Sequence, residues 1–262
     1  MGPLEELPEH LVELKSELMN SAIVFGTEEL GLTNYILYMI LCVLIIMIVI
    51  IAVGRKLTLI PNNKFVNMVE YGYQFVHDDM GKGSIGHGFK KHVPFLATLF
   101  FFILVANFVG LIPGAKAATG TISVTWALAI ISFVYFNFWG VKAKGGLGYL
   151  KSICPSGLPV IMVPIIWFFE SLSLCLRALT LAFRLYGNMF AGHMVLGIFA
   201  ILTSVFTTFA IQNAQFALAL PSVAWIAFLI IMYCLECLVA FLQAYVFTTL
   251  SAVYISLATS EH

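Results

Sequence analysis

Charge is what this sequence lacks most: Asp, Glu, Lys and Arg together make up 10% of its 262 residues, against 61% hydrophobic. A water-soluble domain carries roughly a quarter charged residues, so the deficit excludes an ordinary soluble protein and describes a chain that lies in a bilayer. The 13 basic and 13 acidic residues cancel to a formal net charge of zero, which argues against a nucleic-acid partner. Cysteine is sparse and odd in number; Cys42, Cys154, Cys175, Cys234 and Cys237 sit mostly in apolar surroundings and form no disulfide framework. Cys234 and Cys237 have CxxC spacing but neither a second pair nor neighbouring histidines, so no metal site is expected. No Walker A glycine-lysine loop occurs, so no nucleotide chemistry is expected of this chain; no cofactor is expected. No internal repeat relates residues 34–112 to 121–250, which weakens the alternative of a secondary ion transporter with an intramembrane Arg/Glu/His site.

What is present is a series of apolar runs separated by sparse charges. Seven of the thirteen acidic residues fall in the first 29 positions, giving residues 1–32 an acidic segment with helical leucine spacing and no signal-peptide character. A first span runs from Asn34 to Gly54, long enough to cross about 30 Å of hydrocarbon, and ends at Arg55-Lys56. By the positive-inside rule those cations face the cytoplasm and the acidic segment lies outside. Residues 62–92 mix charges with Phe65, Met68, Val69 and Phe75, the pattern of a helix on the cytoplasmic surface. His77, His87 and His92 in this region read as surface residues. A second span, Val93 to about Ile112, contains Asn107, which reads as a helix-to-helix hydrogen bond. A third returns from Thr121 to Val141 and is closed by Lys142 and Lys144, so the orientation is consistent.

From 158 to 258 the pattern changes. Residues 158–210 are apolar almost without interruption, and as one helix they would be about 70 Å long, more than twice the hydrocarbon thickness. The segment either breaks, near Gly187 or Gly192, or lies strongly tilted. A polar break follows at Gln212-Asn213-Ala214-Gln215, then a last apolar segment from Pro221 to Ala258.

Glu170, Ser173, Arg177, Thr180, Arg184 and Asn188 recur at intervals of three or four along the first long segment and define one helix face. An arginine at membrane depth costs at least about 2.5–3.5 kcal/mol on insertion scales, so it faces protein or water and has a role. Glu170 can pair with Arg177, but Arg184 has no acid within a helical turn. If the two long segments fold back about residue 214, Arg184 comes level with Gln243, and His193 level with Glu236. Nine residues after Arg184, His193 points to the opposite side of a regular helix, so the two need not share a cavity. Gly187, Ala191, Gly192, Ala240 and Ala244 would permit close helix packing.

The run Arg184-Leu-Tyr-Gly-Asn188-Met-Phe-Ala-Gly-His193, with Glu170 fourteen residues earlier and Leu242-Gln243-Ala-Tyr-Val-Phe-Thr-Thr-Leu followed by Val253-Tyr254, closely resembles subunit a of the F-type ATP synthase. The likeness is specific over residues 160–260; the first 30 residues carry little of it. It implies an all-α integral membrane protein with about five membrane helices, the last two a long tilted hairpin curving around a ring of c subunits. It implies two offset half-channels that bring protons to and from the ring carboxylates, with no bond chemistry in this chain. Arg184 would match the essential arginine, Gln243 the glutamine near it, and Asn188 a polar residue of the channel open to the outside. His193 and Glu236 would form an acid and histidine pair in that channel, with the two residue types exchanged relative to some relatives. Glu170, with Ser173 and Thr180, would line the channel open to the cytoplasm, and Arg177 would be structural or tune that exit. Implied partners are the c-ring, the b subunits of the peripheral stalk, the rest of the F-type ATP synthase and the lipid bilayer. The expected location is a bacterial cell membrane, with the mitochondrial inner membrane as the alternative.

Overall fold

The structure is a computed structural model that describes residues 12, 23–25, 32–56, 63–86, 88–112, 114–152, 162–212 and 219–260. Most of the acidic N-terminal segment, Cys154, His87 and the polar break at Asn213–Gln215 lie outside the described residues. Among the described residues the chain is all-α apart from a five-residue antiparallel pairing of β1 (Ile23–Phe25) with β2 (Leu32–Thr33). Among the described residues, five helices are long and apolar enough to cross a membrane.

Helix α1 (Asn34–Gly54) is an unbroken run of Leu, Ile, Val and Met that would suit a strand in water. In lipid the backbone must satisfy its own hydrogen bonds, and a helix does so within one segment. Its side chains are correspondingly outward, with Met47, Ile48, Ile50 and Ile51 at least half exposed on this chain. Only a narrow strip docks, through Cys42 against Ala106, Val109 and Ala118.

Helix α2 (Lys64–Phe75) begins where Asn63 Oδ1 accepts from the Phe65 amide at 3.1 Å, an N-cap that replaces a missing intrahelical partner. It continues into a π-helical turn, Val76–Lys82, which buries Val76 and Met80 against the bundle. His77 is half-exposed and holds Asp78 at 2.8 Å. His92 departs from its reading as a surface residue: it is 5% exposed. Its Nδ1 lies 3.2 Å from the Tyr135 hydroxyl and its ring meets Trp139 edge-on at 4.8 Å. An imidazole has enough apolar surface to be buried once one nitrogen is paired, and the cationic run Lys90-Lys91 beside it hides this in the sequence.

Helix α3 (Val93–Gly110) forms the centre of the bundle, with Leu96, Phe100 and Ile103 buried on one face. Helix α4 (Ile122–Lys144) packs Phe136 into the same core. Its last turn carries Lys142 and Lys144, where cations complement the helix dipole. The short α5 (Gly146–Ser152) follows.

Helices α6 (Val163–Gln212) and α7 (Ala219–Thr259) are 50 and 41 residues long and pack against each other as a hairpin. Neither Gly187 nor Gly192 breaks α6, because the carbonyl ladder runs on through both. At 1.5 Å per residue α6 is about 75 Å long, so a bilayer core of about 30 Å contains it only if it lies steeply oblique. The inner face of α7 carries Ala240, Ala244, Phe247, Ser251, Ile255 and Ala258, all buried, with small residues permitting close approach. Two polar pins fix that face. Ser132 Oγ on α4 donates to Ser251 Oγ at 2.9 Å, and Asn107 Nδ2 on α3 donates to the Ala240 carbonyl at 3.0 Å. Thr119 completes the second pin by donating to Asn107 Oδ1 at 2.7 Å.

Candidate functional site

One side of α6 faces the bundle, with Leu181, Ala182, Leu185, Met189, Gly192 and Leu196 buried at the spacing of a single helical face. Arg184 and Asn188 lie on the exposed rim of that face. Among the described residues Arg184 has neither a hydrogen-bond nor an ion-pair partner. A guanidinium on an apolar surface without a counter-charge is costly, and none of the described residues supplies that charge.

One turn beyond Arg184, Asn188 Nδ2 donates to Gln243 Oε1 on α7 at 2.8 Å. Gln243 is buried, and its Nε2 has no hydrogen-bond partner among the described residues. The hairpin therefore joins Gln243 directly to Asn188.

Gly192 and Glu236 meet one level further on. A Cβ placed on Gly192 would coincide with the Glu236 carboxylate, so the glycine supplies the space in which the acid sits. Glu236 is 5% exposed and its Oε1 has no hydrogen-bond partner among the described residues. His193, adjacent to Gly192, likewise has an unpartnered buried Nε2. The structure thus brings the acid and the histidine to one level of the hairpin but not into a hydrogen bond. The His193 ring instead borders a cavity of about 50 Å³ with Tyr35, Ala115, Lys116, Ala117, Gly120 and Phe190. A water needs roughly 10–15 Å³ of such space, so the cavity has room for a few. It joins the α3–α4 connection to the hairpin at the end that the lysine pattern places outside.

Towards the other end of α6, Glu170 and Arg177 form the ion pair that their spacing allowed, at 3.6 Å. Thr180 Oγ1 donates to its own helix at the Arg177 carbonyl, 3.0 Å away, and Ser173 lies half-buried on the same stripe. Glu170, Ser173, Arg177, Thr180, Arg184 and Asn188 therefore share one continuous face of α6, with His193 on the opposite rim. Chemically, the arrangement offers groups that accept or donate a proton, Glu170, His193 and Glu236, distributed on both sides of one fixed cation.

Sequence reasoning placed Asn107 correctly as a helix-to-helix hydrogen bond. It missed the specific use of Gly192, read only as permitting close packing, and the part of Tyr35 and Lys116 in bordering the His193 cavity. A glycine preceding a histidine, level with a lone acid on the partner helix, was the available signal for the first. Nothing in the sequence pointed to the second.

Comparison with known proteins gives a consistent result. Residues 36–256 match the family model described as ATP synthase A chain. The chain is 38% identical over 240 residues to ATP synthase subunit a 2 of Chlorobaculum tepidum, covering 89% of this chain and 64% of that protein. It is 36% identical over 252 residues to ATP synthase subunit a of Chlorobium phaeobacteroides, covering 94% and 70% respectively. It is 38% identical over 238 residues to ATP synthase subunit a of a Nocardioides species, covering 88% and 83%. The chain thus spans a little under two thirds of the Chlorobaculum relative's length.

Proposed function

The chain belongs to the ATP synthase A chain family, and on that premise we propose that it is the proton-conducting stator subunit of a rotary ATP synthase, resident in a bacterial cell membrane. The observation that carries this reading is Arg184, a cation on the exposed rim of the hairpin with no partner among the described residues. A ring of c subunits turning past that face would present one carboxylate after another to the guanidinium. An opposite charge at close range favours the ionised carboxylate, so each acid loses its proton before passing Arg184 and regains one after it. Because the arginine does not release its own proton at any accessible pH, no proton crosses directly from one side to the other.

Asn188 and Gln243 flank that crossing point, and the unpartnered Gln243 Nε2 is a donor available to the passing carboxylate. His193 and Glu236, with the cavity beside them, form the path from the outside; Glu170, Ser173 and Thr180 form the path to the cytoplasm. The b subunits of the peripheral stalk would hold this chain still against the torque. ATP chemistry belongs to other chains.

Two measurements test the reading. Purification through a tag on this chain should bring down a ring of small apolar subunits and a soluble ATPase. In membranes, Arg184→Ala should abolish both ATP-driven proton pumping and ATP synthesis while the complex stays assembled. Coupled synthesis at the wild-type rate in that variant contradicts the proposal.

A further inference from the structure

Lys142 and Lys144 share the last turn of α4, yet the structure uses them differently. Lys144 reaches to α5 and donates to Ser152 Oγ at 3.4 Å. Lys142 is exposed, and its Nζ lies 4.7 Å from the centre of the half-buried Trp139 ring. The residues leading into α3 meet the same ring. Phe89–Lys91 form a single 3-10 turn with Lys90 and Lys91 exposed, and the next residue, His92, is buried edge-on to Trp139 at 4.8 Å. The Tyr135 hydroxyl, one turn before Trp139, holds the imidazole at 3.2 Å. One indole therefore ties together two lysine-bearing helix ends on the side that the lysine pattern places in the cytoplasm.

Lys90, Lys91 and Lys142 border this corner without a counter-charge. Among the described residues the ion pairs are His77 with Asp78 and Arg177 with Glu170, and neither involves these lysines. Stacking over Trp139 restrains Lys142 but leaves its charge in place. The positive-inside rule accounts for lysines at the ends of spans; it does not require them to gather about one ring. Toward the middle of the bilayer, α4 continues the face of Lys142 with Phe138, Val134 and Ile131, each more than half exposed and spaced by three or four residues. Ile131 and Lys142 are eleven residues apart, about 16 Å along the axis. That is close to half of a hydrocarbon core of about 30 Å, the depth of one leaflet.

We infer that this corner is a binding site for an anionic phospholipid of the cytoplasmic leaflet. Its headgroup phosphate lies against Lys142, Lys90 and Lys91, and its acyl chains run along Phe138, Val134 and Ile131. Basic pockets between membrane helices on the cytoplasmic side suit such headgroups. A zwitterionic lipid brings an ammonium of its own to the phosphate and gains less from three lysines. An acidic protein segment would match the lysines but not an apolar strip one leaflet deep. The site uses none of the residues assigned to the proton path, so it stands or falls apart from that reading.

The test is photolabelling of the membrane complex purified through this chain, with phosphatidylglycerol or phosphatidylcholine carrying a photoreactive group on the acyl chain. The label on residues 131–141 is read by mass spectrometry. Phosphatidylglycerol should reach half-maximal labelling at a lower concentration than phosphatidylcholine. Lys142→Gln should raise that concentration by about fivefold, the worth of one lysine near an anionic surface, and the triple change of Lys90, Lys91 and Lys142 to Gln by about a hundredfold. Lys142→Arg keeps the charge and Lys144→Gln lies outside the site, so both should match wild type, and phosphatidylcholine labelling should be unmoved throughout. Equal labelling by the two lipids, or an unchanged phosphatidylglycerol curve in Lys142→Gln, overturns the inference. So does attachment of residues 131–141 to a neighbouring protein in place of lipid. If the triple variant fails to assemble, Lys142→Gln against Lys142→Arg decides, since equal curves contradict a role for the charge.

Discussion

Replacing Gly192 by alanine adds one methyl group to a helix contact that has no room for it. The new Cβ falls on the Glu236 carboxylate, and neither helix can move aside. Asn188 and Gln243 tie α6 to α7 one turn away, and Asn107 ties α7 to α3 through the Ala240 carbonyl, one turn beyond Glu236. The carboxylate must therefore swing out of its place. Overpacking of this kind costs about 1–3 kcal/mol; falling on the placement of the acid, at about 1.4 kcal/mol per factor of ten in rate, it should lower ATP-driven proton pumping by about five- to a hundredfold. The assay is fluorescence quenching in inverted vesicles, normalised to membrane-bound ATPase. The same geometry predicts a remedy. Glu236→Asp withdraws the carboxylate by about one carbon-carbon bond, ~1.5 Å, and in the Gly192→Ala background it should recover much of the lost rate. Wild-type pumping in Gly192→Ala, or no difference on adding Glu236→Asp, refutes the placement of the acid against this glycine.

Asn188→Leu removes the donor to Gln243 and leaves a buried amide with no partner at either end; a double-mutant cycle with Gln243→Leu on thermal inactivation of the complex should return a coupling of about 1 kcal/mol, and zero coupling contradicts the bond. Asn107→Leu strands the Thr119 hydroxyl, and the loss of about 1–3 kcal/mol should lower the inactivation temperature, as should Thr119→Val, whereas Thr119→Ser keeps the donor and should match wild type. Burial, aided by the Lys91 charge, holds the His92 pKa below its ordinary value near 6.5. As pH falls through that ordinary value the unfolded chain takes up a proton that the folded one refuses, so stability should decline with acid and the decline should end at the lower folded pKa. His92→Gln should flatten that slope in a pH series of thermal inactivation; an unchanged slope refutes the assignment.

The class and the five membrane helices were legible because lipid imposes a simple rule: a long apolar run must be a helix, whatever its β-branched content. The polar stripe on α6 was legible for the same reason, since every charge in such a run is conspicuous. Length alone left open whether α6 breaks or tilts, because an isolated glycine within a long helical run can keep its backbone bonds, and Gly187 and Gly192 both do. Folding the hairpin about residue 214 brought Glu236 level with Gly192 and His193, but set Gln243 level with Arg184 where it in fact bonds Asn188 one turn on. It did not reveal that Gln243 bonds Asn188, or that Glu236 stands against Gly192, because side-chain pairing depends on rotation about each helix axis as well as on height. His92 escaped notice because its burial is created by Tyr135 and Trp139 from another helix, more than forty residues away in sequence.

The central claim is that Arg184 awaits a negative charge carried by a moving neighbour. A density map of the complex purified through this chain tests that most directly. The account predicts a ring of helices against the α6–α7 face, with a carboxylate at mid-membrane depth in the sector facing Arg184 and no direct water path past the guanidinium. A map in which Arg184 faces lipid, or in which α6 and α7 pack against a single static partner, contradicts it.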